Sequence, residues 1–296
     1  MKPWIQAFRL RTLPLSLSCI GMGGILAGIA HQFNATIFFL CCLTTIFLQI
    51  LSNLANDLGD SLNGADHAGR KGPLRAVQSG AISVSQMKNA VILFSVLCLV
   101  SGLSLLYLAF GWNLKAISFF LLLGLLSIVA AITYTIGKKP YGYAGLGDLS
   151  VFIFFGLVGV IGSQYLFTKS IHLLGVLPAL SCGLFSIAVL NINNIRDIES
   201  DRLAGKFSIP VRIGKERAAQ YHWVLLSMGL ISAILFVGFN YQSPIQFLFL
   251  LTAPLLFVNA KKVMLLPSEQ LDPLLKQMAL TTLIFVILFG LGNLLV

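Results

Sequence analysis

The sequence is poor in charge and poorest in acids: only 10% of its 296 residues are charged, with ten Asp and Glu against twenty Lys and Arg. Soluble domains average about 25% charged residues, so a water-exposed globule is excluded. Histidine is scarce. His31, His67, His172 and His222 fall at span ends or in loops without paired-ligand spacing, which excludes a histidine metal centre and leaves them structural. The five cysteines, Cys19, Cys41, Cys42, Cys98 and Cys182, all lie in apolar runs and show no metal or redox spacing, so they read as buried thiols. A net charge of +10 raises the question of nucleic acid, but no soluble basic domain exists to carry that role.

What is abundant is apolar: 57% of residues are hydrophobic and mean hydropathy is +0.90. Apolar runs of the roughly 20 residues needed to cross a bilayer recur throughout. They predict nine spans, near 13–31, 35–58, 89–111, 116–136, 146–167, 172–195, 220–239, 244–260 and 277–296. With the N-terminus inside, eighteen of the twenty basic residues fall in cytoplasmic segments and only Lys115 and Lys169 outside, as the positive-inside rule requires. The expected fold is therefore an all-α integral membrane protein. Nine transmembrane helices surround a central cavity, with the N-terminus cytoplasmic, the C-terminus outside and cytoplasmic cap loops.

Six of the ten acids gather at two places, Asn53-Leu-Ala-Asn56-Asp57-Leu-Gly-Asp60 with Asp66 beyond it, and Asn193-Asn194-Ile-Arg196-Asp197-Ile-Glu199-Ser-Asp201. Carboxylates at membrane spans are costly, so such concentration marks a site. Both clusters end a span that runs from outside to inside, and four spans separate them. That predicts one domain, 1–296, with an internal repeat over about 13–136 and 146–260, an extra helix at 277–296, and the two clusters facing each other across the cavity. Asn53, Asp57 and Asp60 stand at i, i+4, i+7, and Asn193, Asp197 and Asp201 at i, i+4, i+8, so each set is expected on one helical face. Near helix C-termini the macrodipole disfavours each acid by about 0.3–1 kcal/mol, so something positive must compensate.

Carboxylate and amide oxygens without Cys or His suit a hard cation, and Mg²⁺ typically takes one or two carboxylates plus substrate phosphates. Two facing half-sites would hold Mg²⁺ against a diphosphate, with Arg70, Lys71, Arg75, Arg196, Lys206 and Arg212 placed to meet the remaining phosphate oxygens. The plainer reading is that the acids simply pair with these arginines at the interface. An anionic head at the membrane surface above a greasy bundle describes a prenyl diphosphate, whose allylic cation needs a dry pocket with π faces and an aromatic nucleophile.

At these residues the chain resembles the UbiA superfamily of intramembrane aromatic prenyltransferases, along essentially its whole length. The first cluster followed by Gly72-Pro73-Leu-Arg75-Ala-Val-Gln-Ser-Gly80 is similar to the branch that prenylates 1,4-dihydroxy-2-naphthoate. So are the second cluster with Gly205-Lys206 and Val211-Arg212-Ile-Gly214, and Gly145-Leu-Gly-Asp148. The common superfamily pattern puts a third Asp four residues after the second; here Gly64 stands there and the acid is displaced to Asp66, which argues against the 4-hydroxybenzoate branch. The resemblance implies that a polyprenyl diphosphate ionises, the naphthoate ring attacks, and CO₂ and a proton leave to give demethylmenaquinol for menaquinone biosynthesis in a bacterial cytoplasmic membrane. On this reading Asn53, Asp57, Asp60, Asn193, Asp197 and Asp201 bind Mg²⁺, with Asn56 and Asn194 in support.

Arg11, Tyr134 and Asp148 each admit two readings. Arg11, in a setting like the family's opening motif, is either an interfacial anchor or a contact to diphosphate or the aromatic carboxylate. Tyr134, with Lys138 and Lys139, is either an aromatic belt with inside anchors or a group that meets diphosphate or the cation. Asp148 either caps a helix start or positions the naphthoate hydroxyl and accepts a proton. Two rivals from other classes are a transporter for an anionic substrate and a membrane phosphotransferase. The first would spread polar groups through the bilayer depth, and the second would gather its motif in one run. Within the superfamily, haem, chlorophyll and 4-hydroxybenzoate prenyltransferases are the alternatives. Tail length is a property of cavity depth and is not written in the sequence.

Overall fold

The computed structural model describes residues 2–63 and 75–296, and these are helical with no strand among them. A short α1 (Lys2–Phe8) and a 3-10 turn (Leu10–Thr12) lead into α2 (Leu13–Ile29), followed by α3 (Ala35–Leu62), α4 (Val84–Phe110) and α5 (Leu114–Thr133). Then α6 (Gly147–Val151), a π-helical stretch (Phe152–Gly162) and α7 (Ser163–Thr168) make one rod. Next come α8 (Val176–Arg196), the short α9 (Ile198–Leu203) and α10 (Ile209–Ile213), and α11 (Lys215–Phe239). A 3-10 stretch (Pro244–Thr252) runs into α12 (Ala253–Leu265), and α13 (Asp272–Leu294) closes the chain.

Nine rods among the described residues are long and apolar enough to cross a membrane, as expected. Several outrun the apolar runs that announce them. α3 continues to Leu62, α4 begins at Val84, α11 at Lys215 and α13 at Asp272. Hydropathy reports where lipid begins, whereas helical hydrogen bonding is local and continues into polar turns. Caps do the stopping: Asn34 Oδ1 accepts from the Thr36 and Ile37 N–H groups (2.9 and 3.0 Å) at the start of α3, and Ser83 with Gln86 forms a capping box on α4.

The core lies on two sides of a void. On one side α8, α11 and α13 pack around Phe185, Phe285, Phe289 and Met278, all without solvent contact. On the other, α3 and α4 pack around Leu51, Leu54 and Met87. α5 lies against α3 and α4 and is the least buried of the nine rods. Between the two cores runs the cavity that positions the site.

Candidate active site

The last turns of α3 carry the first cluster. Asp60 is buried; its Oδ2 accepts from Arg75 Nη1, and its Oδ1 accepts from the Tyr143 hydroxyl (2.8 Å). The same Arg75 nitrogen reaches the Asn56 carbonyl (2.9 Å). Asp57 Oδ2 accepts from the Ala76 N–H (3.2 Å), while its Oδ1 is buried with no hydrogen-bond partner among the described residues. Asn53 donates from Nδ2 to the Phe8 carbonyl (2.9 Å) and to Thr12 Oγ1 (3.1 Å), so it ties down the N-terminal segment and turns its amide oxygen the other way.

At the second cluster the helix that carries the three residues is interrupted at one position. α8 ends at Arg196, Asp197 is its C-cap, and α9 restarts at Ile198, although i→i−4 bonds persist from Asp197 to Asn193 (3.1 Å) and from Asp201 to Asp197 (2.8 Å). Arg196 packs over the interruption. Its side chain folds back so that Nε and Nη2 meet both oxygens of Asp197 (2.9 and 2.7 Å), and Nη2 also reaches Asn193 Oδ1 (2.9 Å). Asn194 is buried, and its Oδ1 lacks a partner among the described residues.

Lys206 joins the two clusters. Its Nζ sits 3.2 Å from Asp201 Oδ2 and 3.3 Å from Oδ1, with 6% of the residue exposed. Burial works to discharge it, but the negative charges of Asp201, Asp60 and Asp197 outweigh burial and raise the ammonium above the ordinary lysine value. Burial also lifts Asp201 to about 6, against the pull of Lys206. The Tyr143 hydroxyl is pushed up by burial first and by Asp60 second, so it stays a donor.

The loop from Tyr134 to Leu146 is the clamp. Tyr143 accepts from the Phe207 N–H (2.9 Å), and Arg212 donates to the carbonyls of Phe207 and Ala144 (2.9 and 2.8 Å), stapling the two polar connections together. Gly145 makes this possible: its φ is +82°, and a Cβ there would stand 2.5 Å from the Phe207 carbonyl oxygen.

Two cavities meet at α3. An apolar one of about 370 Å³ follows a single stripe of that helix through Cys41, Thr44, Thr45, Leu48, Gln49, Ser52, Asn53 and Asn56. At 1.5 Å per residue that stripe is about 22 Å long. Tyr134, Tyr141 and Ser150 also line it, and the Tyr134 and Tyr141 rings meet edge to face at 5.4 Å. The second cavity, about 310 Å³, is polar and lined by Asp57, Arg75, Asn193 and Arg196 with Arg9 and Arg11.

The structure thus brings Asp57, Asp60, Asp197, Asp201, Asn193, Arg75, Arg196 and Lys206 into one region. Arg11 reaches it through Asp272 (2.7 Å), and Tyr134 through the apolar cavity. Three residues stand apart. Arg212 binds backbone, Lys138 is exposed, and Asp148 lines neither cavity, accepting instead from the Tyr221 hydroxyl (3.0 Å). Arg70, Lys71 and Asp66 lie outside the described residues. Sequence reasoning missed Asp272, Tyr143 and Thr135. A Tyr-Gly-Tyr in a glycine-rich loop was the available signal for Tyr143, whereas nothing local distinguished Asp272 from an ordinary helix-start acid.

The donor set fits a hard cation. No group of three or more His, Cys, Asp or Glu able to hold a metal occurs among the described residues, so those residues build no all-protein cage. Asp57 with Asp60, Asp197 with Asp201, and the oxygens of Asp57 and Asn194 that have no hydrogen-bond partner among the described residues match an ion that completes its shell with substrate oxygens. The chain matches the UbiA prenyltransferase family model over residues 16–293. It is 47% identical over 296 residues to a 1,4-dihydroxy-2-naphthoate octaprenyltransferase of Haemophilus influenzae, covering 99% of this chain and 96% of the relative. The enzyme of the same description from Escherichia coli is 45% identical over 293 residues, covering 96% and 94%. In fold the chain is similar to a solved UbiA homolog from Archaeoglobus fulgidus bound to DMAPP and Mg²⁺, with a TM-score of 0.65, 18% identity and 99% of both chains covered.

Proposed function

This chain belongs to the UbiA prenyltransferase family, and we propose that it transfers a polyprenyl group from polyprenyl diphosphate to 1,4-dihydroxy-2-naphthoate. CO₂ and a proton are lost and demethylmenaquinol is formed for menaquinone biosynthesis. It works in a bacterial cytoplasmic membrane with its active site towards the cytoplasm. The observation that carries this reading is the meeting of an arginine-rich polar cavity and an apolar cavity across the Asn53–Asp57 turn of one helix. A diphosphate joined to a long hydrocarbon needs that juxtaposition. Two relatives above 45% identity, or at it, bear the corresponding description along nearly their whole length.

Asp57, Asp60, Asp197 and Asp201 would hold Mg²⁺, with the amide oxygens of Asn53 and Asn193 and with Asn56 and Asn194 in support. Bound there, Mg²⁺ supplies the positive charge that stabilises a departing diphosphate. Arg75, Arg196 and Lys206 are charge-balanced by carboxylates before substrate arrives and can turn to phosphate oxygens without entering a bare low-dielectric site. The apolar wall that Leu106, Phe120, Phe155 and Val158 build opposite α3 keeps water from the allylic cation, and the Tyr134 and Tyr141 rings offer it π faces at the polar end. A single domain with a repeat over 13–136 and 146–260 is supported by Lys206 feeling both Asp60 of α3 and Asp197 at the end of α8.

The test is an assay of the purified chain in detergent with Mg²⁺ and an all-trans polyprenyl diphosphate, offering 1,4-dihydroxy-2-naphthoate and 4-hydroxybenzoate in parallel, with EDTA as control. Decarboxylating, EDTA-sensitive prenylation of the naphthoate alone is expected. Product from 4-hydroxybenzoate would overturn the acceptor assignment, and no product from either would overturn the aromatic prenyltransfer reading.

A further inference from the structure

We infer that Asp272, the first residue of α13, positions the second acidic cluster for a divalent cation by giving Arg196 a carboxylate partner of its own. The inference rests on the metal reading given under Proposed function.

Arg196 is the difficulty that Asp272 resolves. Its side chain is 2% exposed, and a guanidinium that deep is not tolerated without counter-charge. Through Nε and Nη2 it occupies both oxygens of Asp197 and the amide oxygen of Asn193, the atoms a cation must take from it. A cation approaching them would leave the buried arginine stranded if these were its whole support. They are not: Nη1, on the other side of the fork, donates to Asp272 Oδ1. Asp272 is in turn anchored by Arg11, whose Nη1 lies 2.7 Å from Oδ2. The arginine can therefore release Asp197 and Asn193 while keeping a carboxylate partner in Asp272, which it shares with the more exposed Arg11.

An acid at the start of a helix is favoured by the macrodipole in any case. That accounts for an acid at this position but not for its bridging two arginines, one from the N-terminal segment and one from the end of α8. The placement also gives α13, the span outside the expected repeat, a part in the site: packed on α2 and α8, it delivers the carboxylate that balances Arg196.

Asp272→Asn keeps the size of the side chain and removes its charge. Outer carboxylate partners of metal ligands are typically worth about 10–100-fold in metal affinity. The half-saturating Mg²⁺ concentration is expected to rise by about tenfold or more, with kcat at saturating Mg²⁺ within about threefold of wild type. Mn²⁺ binding to the substrate-free protein in detergent, followed by electron paramagnetic resonance, should weaken by the same factor, and Asp272→Glu should restore most of it. A purely structural role would instead lower kcat or thermal stability and leave the metal midpoint in place. An unchanged Mn²⁺ affinity in Asp272→Asn, or equal weakening in the Asn and Glu variants, overturns the inference while leaving the metal site intact. Wild-type protein that neither binds Mn²⁺ nor needs Mg²⁺ overturns the metal reading itself. Should Asp272→Asn not fold, a wild-type structure with Mn²⁺ decides: Arg196 still on Asp272 and off Asp197 supports the inference, and Arg196 detached from Asp272 refutes it.

Discussion

Gly59 sits between the two acids of the first cluster, and replacing it with alanine tests the geometry of the whole site. A Cβ there would lie 2.4 Å from Thr135 Oγ1 and 2.7 Å from both the carbonyl carbon and the Cβ of Thr135. Carbon contacts are comfortable at about 3.5–4.0 Å, so the methyl is too close by about 0.8 Å. Part of the obstacle is backbone. The Thr135 hydroxyl is also committed to the Ala55 carbonyl (3.0 Å), so the side chain cannot simply rotate away. α3 and the Tyr134–Leu146 loop must part, and the strain costs about 1–3 kcal/mol as overpacking does. The adjacent Asp60 depends on that loop through Tyr143 at 2.8 Å, and parting by about 0.8 Å takes this contact beyond hydrogen-bond length. A misplacement near 1 Å costs about 10²-fold in rate. Gly59→Ala should therefore lower kcat/KM for polyprenyl diphosphate by about two orders of magnitude and reduce the unfolding midpoint in detergent. Gly238→Ala in α11 is the control. Its Cβ meets nothing within 4 Å, and it should keep full activity while gaining up to about 1 kcal/mol of stability. Gly59→Ala protein with activity within about threefold of wild type would refute this account of the α3–loop contact.

Asp57→Asn keeps a hydrogen-bond acceptor for the Ala76 N–H but removes the charge, so the protein should insert and fold normally while turnover is abolished in the Mg²⁺ assay; near wild-type activity would exclude Asp57 as a ligand. Lys206→Met strips the ammonium from among Asp201, Asp60 and Asp197, and breaking such a buried pair costs about 3–5 kcal/mol. The loss should appear in denaturation with EDTA and shrink with added Mg²⁺, whereas an equal loss in both would contradict a cation site at these carboxylates. Asp201 has its pKa raised from 3.8 to about 6, so the folded metal-free protein holds its proton more tightly than the unfolded chain. Its effect on stability is therefore a loss as pH rises from about 4 to 6, complete above that range. Because a ligand must shed its proton, Mn²⁺ affinity should fall as pH drops through 6, by up to about tenfold per unit; a flat profile from pH 5 to 7 would remove Asp201 from the ligand set.

Much of this was legible in the chain because membrane insertion is a one-dimensional constraint. Apolar runs, the placement of Lys and Arg, and the cost of acids near lipid each act on local sequence, so the nine rods and the two Asn/Asp clusters could be read directly. The helix ends could not, since hydropathy stops at the first charges while α3 and α11 continue through them. Nor could the break at Asp197, because i, i+4, i+8 spacing is the same whether or not a capping residue interrupts the helix.

Charge economy and helical periodicity within each span determined that this chain is a membrane bundle with two acidic clusters, and which side chains each cluster holds. Tertiary structure alone decided how those charges are shared. Tyr143 comes to Asp60 from 83 residues away and Asp272 to Arg196 from 76, and a single lysine serves acids from both clusters. The physical reason is that hydropathy and dipole energies sum along the chain, whereas Coulombic pairing depends on distances across it. Such distances exist only once α3, α8 and α13 have packed.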